Sequence, residues 1–421
     1  MSLQRPFRSA RAAPCGSDAV IALRKAPARM LGRIAMLVAP LLLGACASTD
    51  PVVRETPVAL FNDALFAPAT QPIDPADVMK LSPQMERYLE TQLRPAARRD
   101  DARRALINEL YAREKLQLDY EASITRNASQ AFDARSGNCL SLVLMTGAFA
   151  QALGLRVTYQ QVTTDEIWSR AGNMYFMSGH VNLQLEHHFI DYQSAGSRFG
   201  HLESFTIDFM PPEQSASLRA KAISLNTILA MYMNNRAAEA MIAGRLDDAY
   251  WRVRDSLKLD PSFMAAYNTL GVIYLRHKNA PQAELALRAA LAFQPNNPRV
   301  MGNYAQALHG LGRDDEAKVY ETRVASLEPF PPFYFFNRGK AALQAGDMRG
   351  ARELFKKELR RDPDYHEFHY WLAVADFGLG DLAEARSELS LALEDSVKRT
   401  DHDLYAAKLD KLKAYQSRTV Q

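Results

Sequence analysis

The spacing of apolar residues along the chain changes at about residue 226. Before that point, a continuous apolar run from residue 140 to residue 153 predicts one buried helix, which Gly154 closes. Four short stretches rich in β-forming residues predict strands, at 156–162, 179–183, 189–192 and 205–209. After residue 226 the apolar positions follow helical spacing throughout. The pattern therefore predicts an α+β region followed by an all-α region.

The all-α region repeats every 34 residues. Five positions mark the period, and an alanine follows each of them five residues later: Gly244, Lys278, Gly312, Gly346 and Gly380. Prolines keep the same interval at Pro261, Pro295, Pro329 and Pro363. The first position is expected to join two helices with a positive φ, which glycine adopts easily and Lys278 must adopt without that freedom.

This period resembles the tetratricopeptide repeat (TPR). The resemblance implies an all-α TPR solenoid over residues 226–415, with about five repeats and a capping helix from Leu404 to Tyr415. It also implies a concave face that binds a protein or an extended peptide. An aromatic cluster lies at the expected boundary of the third and fourth repeats. We expect some of its rings in the core, with a ligand groove as the alternative place for the others: Phe330, Phe333, Tyr334, Phe335 and Phe336.

Chemistry is predicted where the polar turn Ser136-Gly137-Asn138 enters the buried helix. Cys139 falls in the first turn of that helix, where unpaired N–H groups and the helix dipole favour the thiolate, the nucleophilic form. His180 lies in an apolar strand and could take the thiol proton, and Asp191 could orient the imidazole. The alternative is that Cys139 is a small core residue. We expect His187 and His188 to be turn and strand-start residues.

The order Cys, His, Asp, on a helix followed by strands, resembles the transglutaminase-like superfamily of papain-type cysteine enzymes. The resemblance rests on Thr125-Arg126-Asn127-Ala128, Arg135-Ser136-Gly137-Asn138-Cys139, His180-Val181-Asn182 and Ile190-Asp191. It implies that residues 79–215 form an α+β papain-like domain, with the helix carrying Cys139 packed on a small antiparallel sheet. Cys139 would be the nucleophile, His180 the general base and Asp191 the orienting acid.

One feature of many animal-type members is missing from this chain. They carry a tryptophan upstream of the nucleophile that helps to bind the oxyanion, whereas the first tryptophan here is Trp168. Asn138 and Trp168 are therefore the candidates for contacts with the substrate or the oxyanion, and a core position for Trp168 is the alternative. We expect no cofactor and no metal site, because no cluster of ligating residues accompanies His187 and His188.

Residues 1–45 are predicted to be a signal peptide, with Met30 as an alternative start. Basic residues precede the apolar run 34–43, which is too short to span a bilayer. The following Leu43-Gly44-Ala45-Cys46 resembles the bacterial lipobox, which implies cleavage before Cys46 and acylation of its thiol. Residues 46–78 are rich in proline and are expected to form a tether. Ala47 favours the outer membrane, facing the periplasm, over the inner membrane by analogy with such lipoproteins.

Composition removes one class of function and sharpens another. The net charge of +3 over 421 residues gives no basis for binding nucleic acid. Of the three cysteines, Cys15 would be lost with the signal and Cys46 acylated, which leaves Cys139 as the free thiol of an oxidising compartment. The sequence thus predicts an envelope lipoprotein that hydrolyses amides or transfers their acyl groups. The alternatives are a non-catalytic binding module or a structural scaffold, in which the repeats carry the function.

Overall fold

The computed structural model describes residues 58–112, 115–116, 118–121, 124–171, 174–186, 204–209, 219–396 and 399–419. Three sets of residues singled out in the sequence lie outside these ranges: the signal peptide and Cys46, the pair His187 and His188, and Asp191 with its expected strand 189–192. Within the described ranges, no helix has both the length and the apolar character needed to cross a membrane.

Three helices open the α+β region: α1 (Pro83–Tyr88), α2 (Arg94–Ala97) and α3 (Ala102–Tyr111). Ser82 caps α1 by accepting a hydrogen bond from the Met85 N–H, as its place before Pro83 predicts. Pro95 is expected to end this helical run, yet the run continues through it. A wider π turn at Leu89–Leu93 joins α1 to α2 and accommodates the proline ring.

A four-stranded antiparallel sheet forms the other half of the region, in the order β5-β4-β3-β6. Its strands are β3 (Arg156–Ala171), β4 (Met174–Glu186), β5 (Ser204–Ile207) and β6 (Arg219–Ile223). Strand β6 pairs with β3, so the region reaches Ile223, beyond the boundary expected at residue 215. Two residues each form β1 (Asp119–Tyr120) and β2 (Ser136–Gly137), which pair in parallel.

Helices α4 (Ala128–Ala134) and α5 (Cys139–Ala152) complete the α+β region. Helix α5 is the buried helix that the apolar run predicts, and every residue from Cys139 to Ala150 is buried. Its side chains share one apolar core with the inner face of the sheet, including Val181 and Leu183 of β4. Because residues 139–150 are all buried, the amino end of α5 packs closely against the neighbouring strand.

The repeat array consists, in the described part of the chain, of five helix pairs and a final helix. They are α6 (Leu225–Ile242), α7 (Leu246–Leu259), α8 (Met264–Arg276), α9 (Ala280–Phe293), α10 (Pro298–Gly310), α11 (Asp314–Leu327), α12 (Tyr334–Gln344), α13 (Met348–Leu359), α14 (His366–Leu379), α15 (Leu382–Glu394) and α16 (Arg399–Thr419). A residue with a positive φ joins the two helices of each of the five pairs. Four of these residues are glycines, with φ between 71° at Gly312 and 84° at Gly380. Lys278 adopts it at 59°, as the period predicts.

The first helix of the array also belongs to the α+β region. Ile228, Tyr232 and Met233 of α6 are buried in the same apolar core as α5 and the sheet. The core of the repeats begins further along α6, at Ala237. The two regions predicted from sequence are therefore joined by a helix that contributes to both cores.

The proline-rich segment before α1 packs on the array from residue 58 onward. Leu60 and Phe66 are buried in the repeat core, and the ring of Phe66 stacks on that of Tyr250 with centroids 3.9 Å apart. The Tyr274 hydroxyl donates to the Leu60 carbonyl at 2.8 Å. In the described part of the expected tether, apolar side chains placed between the prolines thus hold the chain against the first two repeats.

The aromatic cluster divides into a buried and a surface group. Phe333 and Phe336 are buried with Phe355 and Phe368, so they pack within the fourth repeat and against the fifth. The rings of Phe330, Tyr334 and Phe335 form a separate group with centroids 5.1–5.4 Å apart, and Phe330 is half exposed. The sequence analysis expected the core members at the interface with the third repeat. They pack toward the fifth repeat instead. The core of repeats one to three and the core around Phe333 and Phe336 are separate apolar clusters.

Candidate functional site

The site is built around the amino end of α5, where Cys139 is the first helical residue. Asn138 caps the helix, and its Oδ1 accepts hydrogen bonds from the Ser141 N–H at 2.9 Å and the Ser141 hydroxyl at 2.8 Å. Gly137 precedes the cap, and a Cβ there would lie 2.6 Å from the Ser141 Cβ. Glycine is therefore required for the chain to turn this tightly into the helix.

The thiol of Cys139 lies against the middle of β4. Its Sγ is 3.9 Å from the Gly179 carbonyl oxygen, and it interacts with the ring of the adjacent residue, His180. Both side chains are largely enclosed, with exposed fractions of 9% for Cys139 and 4% for His180. The predicted nucleophile and base, which are 41 residues apart in sequence, are thus neighbours in the fold.

The carboxylate that holds His180 is Asp208, at the end of β5. Asp208 Oδ1 lies 2.6 Å from His180 Nε2, and its Oδ2 accepts a hydrogen bond from Asn182 Nδ2 at 2.8 Å. The sheet register explains the contact, because Leu183 pairs with Ile207 and the next position places Asp208 opposite Asn182. His180 lies two residues from Asn182 and therefore on the same face of the sheet.

These contacts govern the charge of the imidazole. Burial by itself disfavours the charged ring, but the hydrogen bond to Asp208 and the contact with Cys139 outweigh it, and together they raise the pKa of His180 to about 9. Because Nε2 is engaged by Asp208, Nδ1 is the ring nitrogen that remains for the thiol. The imidazole is therefore protonated at neutral pH and lies between a thiol and a carboxylate.

The sequence analysis brought two members of this group together and missed the third. Asp191, to which it gave the orienting role, lies outside the described residues. The strand containing Asp208 was predicted, but no property of a single strand says which residue of another strand it will face. Aligning the apolar positions of 183–185 with those of 205–207 would have supplied the signal, since both segments alternate in the same register.

The two candidates for substrate contacts differ in what the structure describes. Asn138 is the cap of α5, so its side chain is committed to the helix end. Trp168 lies on β3, where its backbone pairs with Met177. Within the described ranges, no three His, Cys, Asp or Glu side chains come together in a way that could hold a metal ion.

Comparison with known proteins identifies the helical half of the chain. A family model described as "Tetratricopeptide repeat" matches residues 235–298 and 336–397. The array is built of tetratricopeptide repeats. The two matches leave out the segment 299–335, where the two cores of the array separate.

The known proteins that are similar to this chain in sequence include two from Pseudomonas. The type IV pilus assembly protein PilF of Pseudomonas aeruginosa is 32% identical over 119 residues, which cover 28% of this chain and 47% of PilF. Cellulose synthase operon protein C of Pseudomonas fluorescens is 25% identical over 186 residues, which cover 42% of this chain and 14% of that protein. The chain thus spans less than half the length of either relative.

The solved structures that are similar to this chain include two bacterial proteins. One is P. aeruginosa PilF, with 23% identity and a TM-score of 0.28 over 45% of this chain and 86% of that one. The other is a thermophilic TPR protein of Thermus thermophilus, with 21% identity and a TM-score of 0.28 over 43% of this chain and 98% of that one.

Proposed function

We propose that the α+β region is a transglutaminase-like cysteine enzyme that hydrolyses amides or transfers their acyl groups. The observation that carries the proposal is the group Cys139, His180 and Asp208 at the amino end of α5. Asp208 takes the orienting role that the sequence analysis gave to Asp191. A thiol beside a helix amino end and a protonated imidazole has the surroundings that favour a reactive thiolate.

The proposed reaction begins with a thiolate whose proton already resides on His180. The Cys139 sulfur attacks the carbonyl carbon of an amide, and the carbon–nitrogen bond then breaks as His180 gives its proton to the departing amine. This leaves a thioester on Cys139 and a neutral imidazole. Water or a second amine attacks the thioester while His180 takes its proton, which releases the product and restores the starting charges. Asp208 keeps the imidazole in one orientation through both steps.

Alkylation by iodoacetamide across the pH range tests this proposal without a substrate. In a chain starting at Val52, Cys139 is the sole cysteine, so every adduct on sulfur reports this site. We expect labelling well below pH 8.5, where an ordinary thiol is mostly protonated, and loss of that low-pH labelling in His180→Ala. Labelling of Cys139 only after unfolding would make it a core residue and favour the alternative, a non-catalytic protein whose repeats carry the function.

We also propose that the mature chain is attached to the outer membrane, on the periplasmic side, through lipid on Cys46. The support is the Leu43-Gly44-Ala45-Cys46 motif after a short apolar run. The acyl chains of a lipoprotein bury enough methylene groups, at about 0.8 kcal/mol each, for stable attachment. Cys46→Ser should move the protein to the soluble fraction of fractionated cells. Retention of the variant on membranes in high salt and mild alkali would contradict the proposal.

For the array, we propose that it binds a protein or peptide partner and that the surface group Phe330, Tyr334 and Phe335 contributes to the contact. The side chains of Arg338, Lys357 and Arg361 lie within 6 Å of these rings, so the surface combines apolar area with positive charge. A partner recovered by the wild-type chain should be lost with Phe330→Ala. Phe377→Ala is the matched control, because both rings are 50% exposed. Equal loss in the two variants would remove the surface group from the binding site.

A further inference from the structure

One loop residue connects the nucleophile helix to the first helix of the array. Thr125 is 3% exposed, and its hydroxyl oxygen accepts a hydrogen bond from Asn138 Nδ2 at 3.0 Å. From the other side, Asn235 Nδ2 of α6 donates to the same oxygen at 3.3 Å. The side chain of Thr125 therefore touches both the cap of α5 and the array.

The backbone of Thr125 is held by the same turn of α6. Its N–H donates to Glu239 Oε1 at 2.7 Å, and its carbonyl accepts from Arg236 Nη1 at 3.3 Å. Arg236 and Glu239 are themselves paired, with Nη1 2.5 Å from Oε2. The N–H, the carbonyl and the hydroxyl of Thr125 are thus all bound by α6, which fixes the residue in one orientation.

The contact with Thr125 completes the hydrogen bonds of the capping amide. The Ser141 N–H can only donate, so the Oδ1 atom of Asn138 faces it, as a helix cap requires. The Nδ2 atom is then directed to Thr125 Oγ1, which accepts its hydrogen bond. Ser141 is held in turn by the Arg126 N–H, which donates to its hydroxyl at 2.8 Å. Without the Thr125 oxygen, Asn138 would lose the hydrogen bond of its Nδ2 atom, and the cap would be held from one side only.

We infer that α6, the first helix of the repeat array, positions the nucleophile Cys139 through Thr125 and the Asn138 cap. This inference rests on the proposed function, since it concerns the reactivity of the same thiol. Thr125, Arg236 and Glu239 are positioning residues that act through the cap and the loop before it. The array is then part of the machinery that sets the reactivity of the thiol, in addition to being a surface for partners.

The test compares alkylation of Cys139 by iodoacetamide against pH in the chain starting at Val52. Thr125→Val removes the hydroxyl and keeps the shape and the backbone contacts, and should lower the alkylation rate at pH 7 by up to about tenfold, because the cap that positions the thiol is loosened. Thr125→Ser restores the oxygen and should restore the profile. Glu239→Ala, which acts from the array side, should move the profile in the same direction as Thr125→Val.

Thr227→Val is the matched control. Thr227 also lies on α6, but its hydroxyl bonds Asp260 at 2.6 Å and Ser224 at 2.9 Å, away from Asn138. It should leave the alkylation profile unchanged, and urea unfolding of each variant separates folding losses from a changed profile.

The possible outcomes distinguish the positioning role of α6 from the proposed enzyme activity. Low-pH reactivity in the wild type that Thr125→Val and Glu239→Ala leave intact would overturn the positioning role and spare the enzyme. Absence of low-pH reactivity in the wild type would overturn both.

Discussion

The repeat array and the α+β region differ in how far along the chain their residues find partners. In the array, each helix packs on its neighbours in sequence, and one 34-residue period sets the turn positions, including the positive φ of Lys278. In the α+β region, Cys139 meets His180 across α5 and β4, and Asp208 arrives from a further strand. The helical half is therefore determined by local repetition, whereas the site depends on strand register.

The boundary between these regions is less sharp than their architectures suggest. Helix α6 supplies Ile228, Tyr232 and Met233 to the core of the α+β region, and the segment 58–72 supplies Leu60 and Phe66 to the core of the repeats. Each region therefore lacks part of its core when separated from the other. Cutting the chain tests this interdependence, and point substitutions test the contrast between local and long-range determinants.

The largest effect is expected from cutting the chain between the regions. A fragment of residues 58–224 keeps β1 to β6 and lacks α6. The core of the α+β region therefore loses the buried side chains of Ile228, Tyr232 and Met233. Each is worth about 1.5–3 kcal/mol when buried, on the order of 6 kcal/mol together. That loss is comparable with the whole stability of a typical domain, about 5–15 kcal/mol, so the fragment should not fold.

A fragment of residues 58–296 is the control for this truncation. It retains α6 and the first two repeats, including the surface on which the segment 58–72 packs. It should unfold in a cooperative transition in urea, as monitored by circular dichroism and tryptophan fluorescence. A cooperative transition in the shorter fragment as well would show that the α+β region folds without the array.

The sequence predicts the helices and strands more fully than the way they pack together. Local patterns predict the buried helix at Cys139, the turns that recur every 34 residues and the strand near residue 205. They do not predict the contact of Asp208 with His180, because it arises when Leu183 pairs with Ile207 and no local propensity encodes that register. The sharing of α6 was missed for a related reason, since the same amphipathic helix can bury its apolar residues against a repeat or against a sheet.

The charge of the long-range site should make stability depend on pH. The pKa of His180 is raised from its ordinary 6.5 to about 9 in the folded chain, so protons bind the folded state more tightly. With the thiol removed by Cys139→Ala, so that no proton moves between Cys139 and the imidazole, the stabilisation is fully present below pH 6.5 and is lost as the pH rises through the raised pKa of His180.

Urea unfolding of Cys139→Ala and of the double variant Cys139→Ala with Asp208→Asn, between about pH 6 and pH 9.5, measures this contribution. The advantage of the variant that keeps Asp208 should fall as the pH rises over that window, because the double variant lacks the carboxylate that raises the pKa of His180. If the difference between the two proteins in free energy of unfolding stays constant with pH, Asp208 does not raise the pKa of His180.

A smaller effect should separate the two aspartates considered for the site. Asp208→Asn removes the negative charge against His180 Nε2, so the imidazole loses its proton at lower pH and stabilises the thiolate less. We expect iodoacetamide labelling of Cys139 at pH 7 to slow by up to about tenfold, because less of the sulfur is present as the reactive thiolate. Asp191→Asn should label at the wild-type rate. The reverse ranking would return the orienting role to Asp191.

The smallest effect returns to the array, where stability should follow local backbone geometry alone. Lys278 holds a φ of 59° at the position where Gly312 holds 71° in the next repeat. A side chain in the left-handed region costs about 1 kcal/mol, which glycine avoids. Lys278→Gly should therefore raise the free energy of unfolding by up to about 1 kcal/mol, and Gly312→Lys should lower it by a similar amount. Because glycine also gains conformational freedom in the unfolded chain, both changes should fall at or below that figure. Urea unfolding measures both, and alkylation of Cys139 should be unchanged in each. If Lys278→Gly destabilises the array while Gly312→Lys is neutral, the Lys278 side chain contributes packing that the 34-residue period does not predict.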